Sequence, residues 1–476
     1  MSRRKRPLPA YDKVEITDAA AEGKCLTRIE ERVVFVPFSA PGDIVDIQVV
    51  KKKRSYLEGI ITNFHKRSDQ RTKPRCEHFG LCGGCKWQHV TYANQLANKQ
   101  KQVKDNFERI GKVEIGEFFP IIGAENEYFY RNKLEYTFSD RRWLTTLDVP
   151  KEEGGPQDTN GLGFHLPGKF DKILDIENCY LQKEPSNSIR LAVKEYAIEN
   201  NLDFYNVRNH EGFLRNLIIR TSSTGDLMVI VIYRYDDLDI ADMLKYIGDK
   251  FPEITSLMYV INEKFNDTIW DLEVKFFKGN PYLMEEMKSP LSGKPNLKFK
   301  IGPVSFYQTN PDQAYHLYKA AFDFADFKGD ELVYDLYTGA GTIAAFIANS
   351  VKKVVGIESV EEAVEGARKN AVLNEIDNVE FFAGDMLKLL TPEFILKHGK
   401  PDIIITDPPR AGMHEKVIKQ ILFAAPEKIV YVSCNPATQA RDIALLSEKY
   451  DVIKAQPVDM FPQTHHVENV ALLVKR

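Results

Sequence analysis

Residues 332–342 read Leu-Val-Tyr-Asp-Leu-Tyr-Thr-Gly-Ala-Gly-Thr, a short apolar run broken by two glycines and followed by a helical pattern. A strand that turns this abruptly into a helix needs residues that tolerate positive φ and let backbone approach closely, which glycine supplies. The unit recurs. Apolar runs begin again near Val354, Val379, Ile403 and Ile429, with amphipathic helical stretches between them, and Val467–Val474 has the pattern of a last strand. Such alternation predicts a doubly wound, Rossmann-like parallel sheet over 301–476.

The rest of the chain is organised differently. Its 476 residues leave room for about three domains. Residues 1–65 hold short runs, Val33–Val36, Ile44–Ile47 and Gly59–Ile61, with Pro41-Gly42-Asp43 between the first two; size and spacing predict a small β-barrel. Residues 66–90 form a cysteine-bearing loop. A helix follows over 91–111, with Leu96, Val103, Phe107 and Ile110 at helical spacing and Gly111 as its stop. From 116 to 300 strands predominate, broken by a glycine- and proline-rich loop at 150–161. The expected domains are 1–65, a central α+β domain at 66–300 and the α/β domain at 301–476, with helix 91–111 able to dock on the last.

Composition excludes several classes. No apolar run approaches the ~18 residues of a membrane span, the basic start leads into no apolar stretch, and six cysteines are too few for a disulfide scaffold. A cytoplasmic monomer is expected. Residues 1–110 hold 22 Lys and Arg against 13 Asp and Glu, whereas the remainder holds 42 against 55. A basic front on an acidic body predicts a polyanionic partner. Lys51-Lys52-Lys53-Arg54-Ser55-Tyr56, on a barrel hairpin, suits single-stranded or looped nucleic acid; a solvated, lysine-protected edge is the plainer reading.

The loop Gly339-Ala340-Gly341 lies at the carboxyl edge of the sheet, where doubly wound folds bind nucleotides. Glu358 ends the second strand, 19 residues on, where a carboxylate can accept from ribose hydroxyls. Adenosine fits, but the spacing also satisfies a dinucleotide fingerprint, so an iron–sulfur, nicotinamide-dependent oxidoreductase stays open. Asp335 before the loop and Asp385 after the third strand lean towards S-adenosylmethionine.

The fourth strand ends in Asp407-Pro408-Pro409-Arg410 and the fifth in Ser433-Cys434-Asn435-Pro436, so Cys434 shares that edge. A thiol aimed into a nucleotide crevice reads as a nucleophile. The reaction that wants one is methylation at C5 of a pyrimidine, a poor nucleophile until a thiolate adds to C6. A base must then remove the C5 proton, and Glu468, opening the last strand, is a plausible one.

These segments resemble a known family. Asp-Pro-Pro-Arg at 407–410, Ser-Cys-Asn-Pro at 433–436, Pro462 through Glu468 and Phe306-Tyr307-Gln308-Thr309-Asn310 are similar to the RNA 5-methyluridine (uracil-C5) methyltransferases, and the barrel is similar to their TRAM domain. The resemblance covers essentially the whole chain. It implies a methyltransferase domain at 301–476 that uses S-adenosylmethionine, with Cys434 as nucleophile and Glu468 as base. Gln308, Tyr337, Glu358 and Asp407 match positions that contact the methyl donor, with Gly339 and Asp385 carried over less firmly and His466 left structural.

Five cysteines remain; Cys25 stands alone in the barrel as a core residue, and the other four are Cys76, Cys82 and Cys85 within ten residues, and Cys179, 94 residues after Cys85. Three close thiols with Gly83-Gly84 between two of them can wrap one inorganic centre, and the uneven spacing favours a cubane over zinc. The cluster-bearing branch of the family has the same Cys-x5-Cys-Gly-Gly-Cys and a later Cys before Leu-Gln. That resemblance implies a [4Fe-4S] cluster on Cys76, Cys82, Cys85 and Cys179, and 23S ribosomal RNA as partner, with transfer RNA as the alternative.

Overall fold

The computed structural model describes residues 8–144 and 159–476. The basic residues 3–6 and most of the loop expected at 150–161 lie outside them; its last residue, Gly161, opens a strand.

Six N-terminal strands, β1 (Ala10–Glu15), β2 (Asp18–Ala19), β3 (Lys24–Ile29), β4 (Arg32–Pro37), β5 (Ile44–Lys52) and β6 (Tyr56–Lys66), form one sheet in the order β1-β5-β6-β4-β3-β2. Alternation along β5 sends Val45, Ile47 and Val49 inward to Ile16, Cys25, Val34 and Leu57, a separate core. Lys51–Arg54 sits at the β5–β6 hairpin, where Lys51 pairs with Glu58 at 3.1 Å. Residues 8–65 carry eight Lys and Arg against nine Asp and Glu, so the barrel is balanced. The basic excess belongs to residues 1–7 and to 66–110, which hold ten against four.

α1 (Tyr92–Asn106) continues into a π-helical turn, Phe107–Gly111. The left-handed residue that ends it is Lys112, not Gly111. Gly111 is small for another reason: a Cβ there would meet the Ala440 carbonyl at 3.2 Å. β7 (Ile115–Phe118) follows.

The central sheet comprises β8 (Lys133–Ser139), β9 (Gly161–Leu166), β10 (Lys169–Asp175), β11 (Leu214–Thr221), β12 (Leu227–Tyr233), β13 (Ser256–Ile261) and β14 (Val274–Gly279), in the order β10-β9-β8-β11-β12-β13-β14. Both faces are covered, so β12 is buried throughout. α2 (Ser186–Glu199) and α3 (Asp239–Lys250) take one face, with Val193, Leu244 and Ile247 over Leu217 and Val229. The other face places Ile218, Met228 and Ile230 in one core with Leu317, Val333 and Ile343 of the C-terminal domain.

After the hairpin β15 (Leu283–Met287) and β16 (Leu297–Ile301) comes α4 (Pro311–Ala325), then the expected alternation. It runs β17 (Leu332–Leu336), α5 (Thr342–Ile347), β18 (Lys353–Glu358), α6 (Glu361–Leu373), β19 (Val379–Ala383), α7 (Met386–Leu389), α8 (Pro392–His398), β20 (Ile403–Thr406), α9 (Glu415–Ala424), β21 (Lys428–Ser433), α10 (Pro436–Leu446), β22 (Tyr450–Val458) and β23 (Glu468–Lys475). The sheet order is β19-β18-β17-β20-β21-β23-β22-β7. β23 inserts antiparallel between β21 and β22. β7, read from sequence as leading into the central strands, instead pairs parallel with β22; four residues carry too little pattern to announce their sheet. No helix among the described residues is long and apolar enough to cross a membrane.

Candidate active site

The sheet order reverses between β17 and β20, and the loops after β17, β18, β20 and β21 form one edge. Tyr337, Gly339 and Gly341 take left-handed φ values of 64°, 56° and 76°. At Gly341 a Cβ would meet Ala367 Cβ at 2.9 Å and Phe381 Cζ at 3.0 Å, whereas at Gly339 it would meet nothing within 4 Å. Bare backbone facing open space is the cradle a nucleoside requires. Tyr337 adopts its φ at a cost of about 1–3 kcal/mol, and burial raises its phenol to about 12.

Glu358 reaches back to this loop. Its Oε2 accepts from the Gly339 amide at 3.1 Å, and Oε1 accepts from the Ser359 amide (2.6 Å), the Ser359 hydroxyl (2.9 Å) and the Val360 amide (3.0 Å). A carboxylate offers about two lone pairs per oxygen. Oε1 is therefore filled by the chain itself, and only Oε2 keeps room for a ribose hydroxyl, which narrows the sequence expectation. Asp385 caps α7 by accepting from the Leu387 amide at 2.9 Å. Gln308 arrives from the other side: its side chain hydrogen-bonds Tyr318, whose hydroxyl lies 3.4 Å from Thr342 Oγ1. Asn132 of the central domain holds the Gln308 carbonyl at 3.1 Å.

Asp335 is fully buried beneath the loop and accepts from the Thr338 hydroxyl. Burial lifts its carboxyl to about 7, against the pull of that hydroxyl. Asp407, after β20, is also raised to about 7, by burial and then by Asp335.

Cys434 follows β21. The β21–β23 ladder closes on the Ser433–Asn469 pair, and Cys434 and Glu468 are the residues that flank this last rung. Burial raises the thiol to about 12, with Glu468 and Asp407 adding, while Arg410 opposes as a cation and hydrogen-bond donor. Glu468 is 4% exposed; burial and then Asp407 hold its carboxyl well above the ordinary range, again with Arg410 opposing. The Arg410 carbonyl accepts from Asn435 Nδ2 (3.0 Å) and Thr438 Oγ1 (3.2 Å), which stitches the Asp-Pro-Pro-Arg loop to the start of α10. His466 stacks on His465 with ring centroids 4.1 Å apart and meets Arg410 Nη2 at 3.4 Å. Burial lowers its pKa to about 3, so it stays neutral. The sequence quoted Arg410 in a motif but gave it no role; no spacing rule could show that its cation faces the thiol.

The other cysteines lie apart from this edge. Cys82, Cys85 and Cys179 border one apolar cluster, and the thiols of Cys82, Cys179 and Cys76 all push that of Cys85 up, after burial. The Gly84 amide points at Cys82 Sγ at 3.4 Å. Four neighbouring, solvent-poor thiols are a donor set that fits a thiolate-held cluster. Among the described residues no three His, Cys, Asp or Glu side chains are drawn together as ligands of a metal ion. Cys25 is separate, buried in the barrel with Sγ donating to the Ser39 carbonyl at 3.1 Å.

A switch-point cradle with a carboxylate behind it, in a doubly wound sheet into which β23 inserts antiparallel, is a nucleoside site of the kind that S-adenosylmethionine-dependent transferases use. Comparison with known proteins narrows this. The profile of the tRNA (uracil-5-)-methyltransferases matches residues 280–476 and that of the TRAM domain matches 12–62. An RNA methyltransferase of Bacteroides thetaiotaomicron is 56% identical, covering 96% of this chain and 100% of its own. One from Porphyromonas gingivalis is 55% identical, covering 97% and 99%. The crystal structure of Pyrococcus abyssi tRNA (uracil-54, C5)-methyltransferase with S-adenosyl-L-homocysteine is 27% identical, with a TM-score of 0.74, over 97% of this chain and 100% of that one. The chain belongs to the RNA uracil-C5 methyltransferase family, and it is an S-adenosylmethionine-dependent enzyme with an RNA substrate. The nicotinamide alternative falls away.

Proposed function

We propose that this enzyme methylates C5 of a uridine through a covalent Cys434–C6 adduct resolved by Glu468. The observation that carries the reading is that Cys434 and Glu468 flank the last rung of the β21–β23 ladder at the cradle's edge, with Glu468 acting on the thiol and Arg410 acting on both. Bound S-adenosylmethionine supplies an electrophilic methyl group and a positive charge. Gln308, Tyr337, Gly339, Glu358, Asp385 and Asp407 line the place for it.

A stacked uracil cannot offer C6 to a thiol, so the target base must flip out. Cys434 loses its proton to solvent as Sγ bonds C6, and the C5=C6 pair moves into an enolate. C5 takes the methyl group and becomes tetrahedral while still holding its proton. Glu468 removes that proton, the C5–H pair re-forms C5=C6, and the Sγ–C6 pair returns to sulfur. Arg410 stabilises the thiolate on departure and return.

The test is a denaturing gel with labelled RNA and labelled methyl donor. Cys434→Ala should give neither product nor adduct. Glu468→Gln should add and methylate but not eliminate, so a covalent protein–RNA species accumulates; product at the wild-type rate from Glu468→Gln removes Glu468 as the base. For the RNA we propose 23S ribosomal RNA, supported by the barrel and the four-cysteine pattern. The Pyrococcus abyssi relative, a transfer-RNA enzyme, matches along its whole chain, so transfer RNA is the second reading. Mapping 5-methyluridine in both RNAs from cells lacking the protein separates them. The four cysteines are proposed as ligands of a [4Fe-4S] cluster that has no part in these steps.

A further inference from the structure

Residues 459–467, the connection from β22 to β23, carry no strand pairing of their own, and they span from Val458 to Glu468, the pair that closes the β22–β23 ladder. Their position is set from outside: Gln313 and Asn310 hold the Asp459 and Met460 carbonyls and Tyr130 the Pro462 carbonyl, while the side chains of Asp459 and Gln463 are gripped by a helix more than 350 residues earlier. Asp459 and Lys99 of α1 form an ion pair at 2.6 Å with both side chains fully buried. Tyr92 donates to the second Asp459 oxygen at 2.9 Å, and Lys99 also donates to the Phe461 carbonyl at 3.1 Å. One turn along the helix, Gln95 makes a two-way pair with Gln463: Gln95 Nε2 donates to Gln463 Oε1 and the Gln463 amide donates to Gln95 Oε1, both at 3.0 Å. Gln463 sits at φ 67°, a conformation a non-glycine residue keeps only when held.

Residues 92, 95 and 99 share one face of α1, where Gln95 and Lys99 are buried although polar. A buried ion pair is a poor source of stability compared with apolar packing, so its use here calls for another explanation. A third element joins in. The Gln463 carbonyl accepts from the amides of Lys86 (2.9 Å) and Trp87 (3.0 Å), the two residues after Cys85, and Gln95 also holds the Trp87 and Val90 carbonyls. The cysteine loop, α1 and the loop before Glu468 are thus one hydrogen-bonded body.

We propose that Lys99 and Gln95 are positioning residues for the proton-removal step: from α1 they fix residues 459–463 and, through them, the carboxyl of Glu468. The inference rests on the reading of Glu468 as the base. Cys434 is held independently, by β21 and the α10 cap, so loosening this brace should spare addition and methyl transfer and slow elimination. Misplacing one reacting group by about 1 Å can lower the rate about 10²-fold.

The experiment compares wild type, Lys99→Met, Gln95→Leu and Glu468→Gln in the full-length protein, scoring turnover, KM for RNA and covalent adduct on a denaturing gel. Lys99→Met and Gln95→Leu should lose about 10²-fold in kcat with KM for RNA little changed, and both should accumulate methylated adduct. Because Lys99→Met leaves Asp459 buried without its cation, Lys99→Met/Asp459→Asn is made alongside; restored folding with persistent adduct is the expected result. Folded variants that turn over at the wild-type rate, or that lose kcat without adduct, overturn the proposal. If Glu468→Gln traps adduct and the α1 variants do not, only this inference falls; if Glu468→Gln traps none, the reading beneath it falls too.

Discussion

Cys434 and Glu468 flank the last rung, Ser433–Asn469, of two adjacent antiparallel strands. The carboxyl of Glu468, when charged, holds the thiol protonated. Burial raises both, Glu468 raises the thiol further, and Asp407 raises both again. Arg410 alone among the named neighbours pulls the other way.

The active forms are the thiolate and the carboxylate, and both groups are shifted upward, so activity should grow as pH rises. kcat/KM for methyl transfer should increase from pH 6 to 9. Arg410→Met removes the opposing cation and should move the rise to higher pH, with a loss at pH 7.5 of about ten-fold per pKa unit gained by the thiol. A profile that is flat from pH 6 to 9 in the wild type contradicts this assignment of protons.

Asp335 and Asp407 predict a second pH effect, on stability. Both carboxyls are raised to about 7 in the fold, so the folded state binds protons that the unfolded chain releases above its ordinary carboxylate range. Their contribution is fully present below about pH 4 and is lost as pH rises through about 7. Asp335→Asn should flatten the pH 4–8 slope of the melting temperature in the ligand-free protein. It should also add roughly 1–3 kcal/mol at pH 8. An unchanged slope by scanning calorimetry refutes it.

Much of the edge is legible in the residues. The glycines at 339 and 341, the acid at 358 and the strand-ending Asp407 and Cys434 each sit where their spacing from a strand puts them, because a parallel sheet delivers every strand end to one side. Glu468 is different. Its role depends on β23 inserting antiparallel beside β21, and an isolated Glu at a strand start carries no such message. The Lys99–Asp459 pair is equally silent, since a lysine on a polar helix reads as solvated until the fold buries it. Charge misleads in a third way: Lys51–Arg54 catches the eye, but the barrel around it is balanced by nine acids.

For the cysteines the expectation is specific. Anaerobically purified protein should be brown with four irons per chain, and Cys179→Ser should bleach it. Because Lys86 and Trp87 hold Gln463, bleached protein should also melt at lower temperature. A colourless protein with one zinc under the same conditions replaces the cluster with a zinc site.

Where the positive charge lies sets the last prediction. Lys66, the last residue of β6, and Arg67 and Lys73 on the segment between the barrel and α1 are exposed; Arg67 lies over the Phe64 ring at 4.2 Å. Arg71, in the same run, is already committed to Asp43 at 2.7 Å and to the Phe38 carbonyl. On the barrel hairpin Lys51 is held by Glu58. Neutralising phosphate releases counterions, with a slope of about 0.7–0.9 in log affinity against log salt for each contact. Replacing Lys66, Arg67 and Lys73 together by Ala should therefore lower the slope by about two and weaken RNA binding at 0.1 M salt at least about ten-fold. The same change at Lys51, Lys52 and Lys53 should do less, and kcat at saturating RNA should survive both, because the charges that act on Cys434 and Glu468 come from Asp407, Arg410 and Glu468 itself. Anisotropy titrations across a salt series give both slopes. A larger loss from the hairpin than from the linker would place the RNA on the barrel's own surface instead.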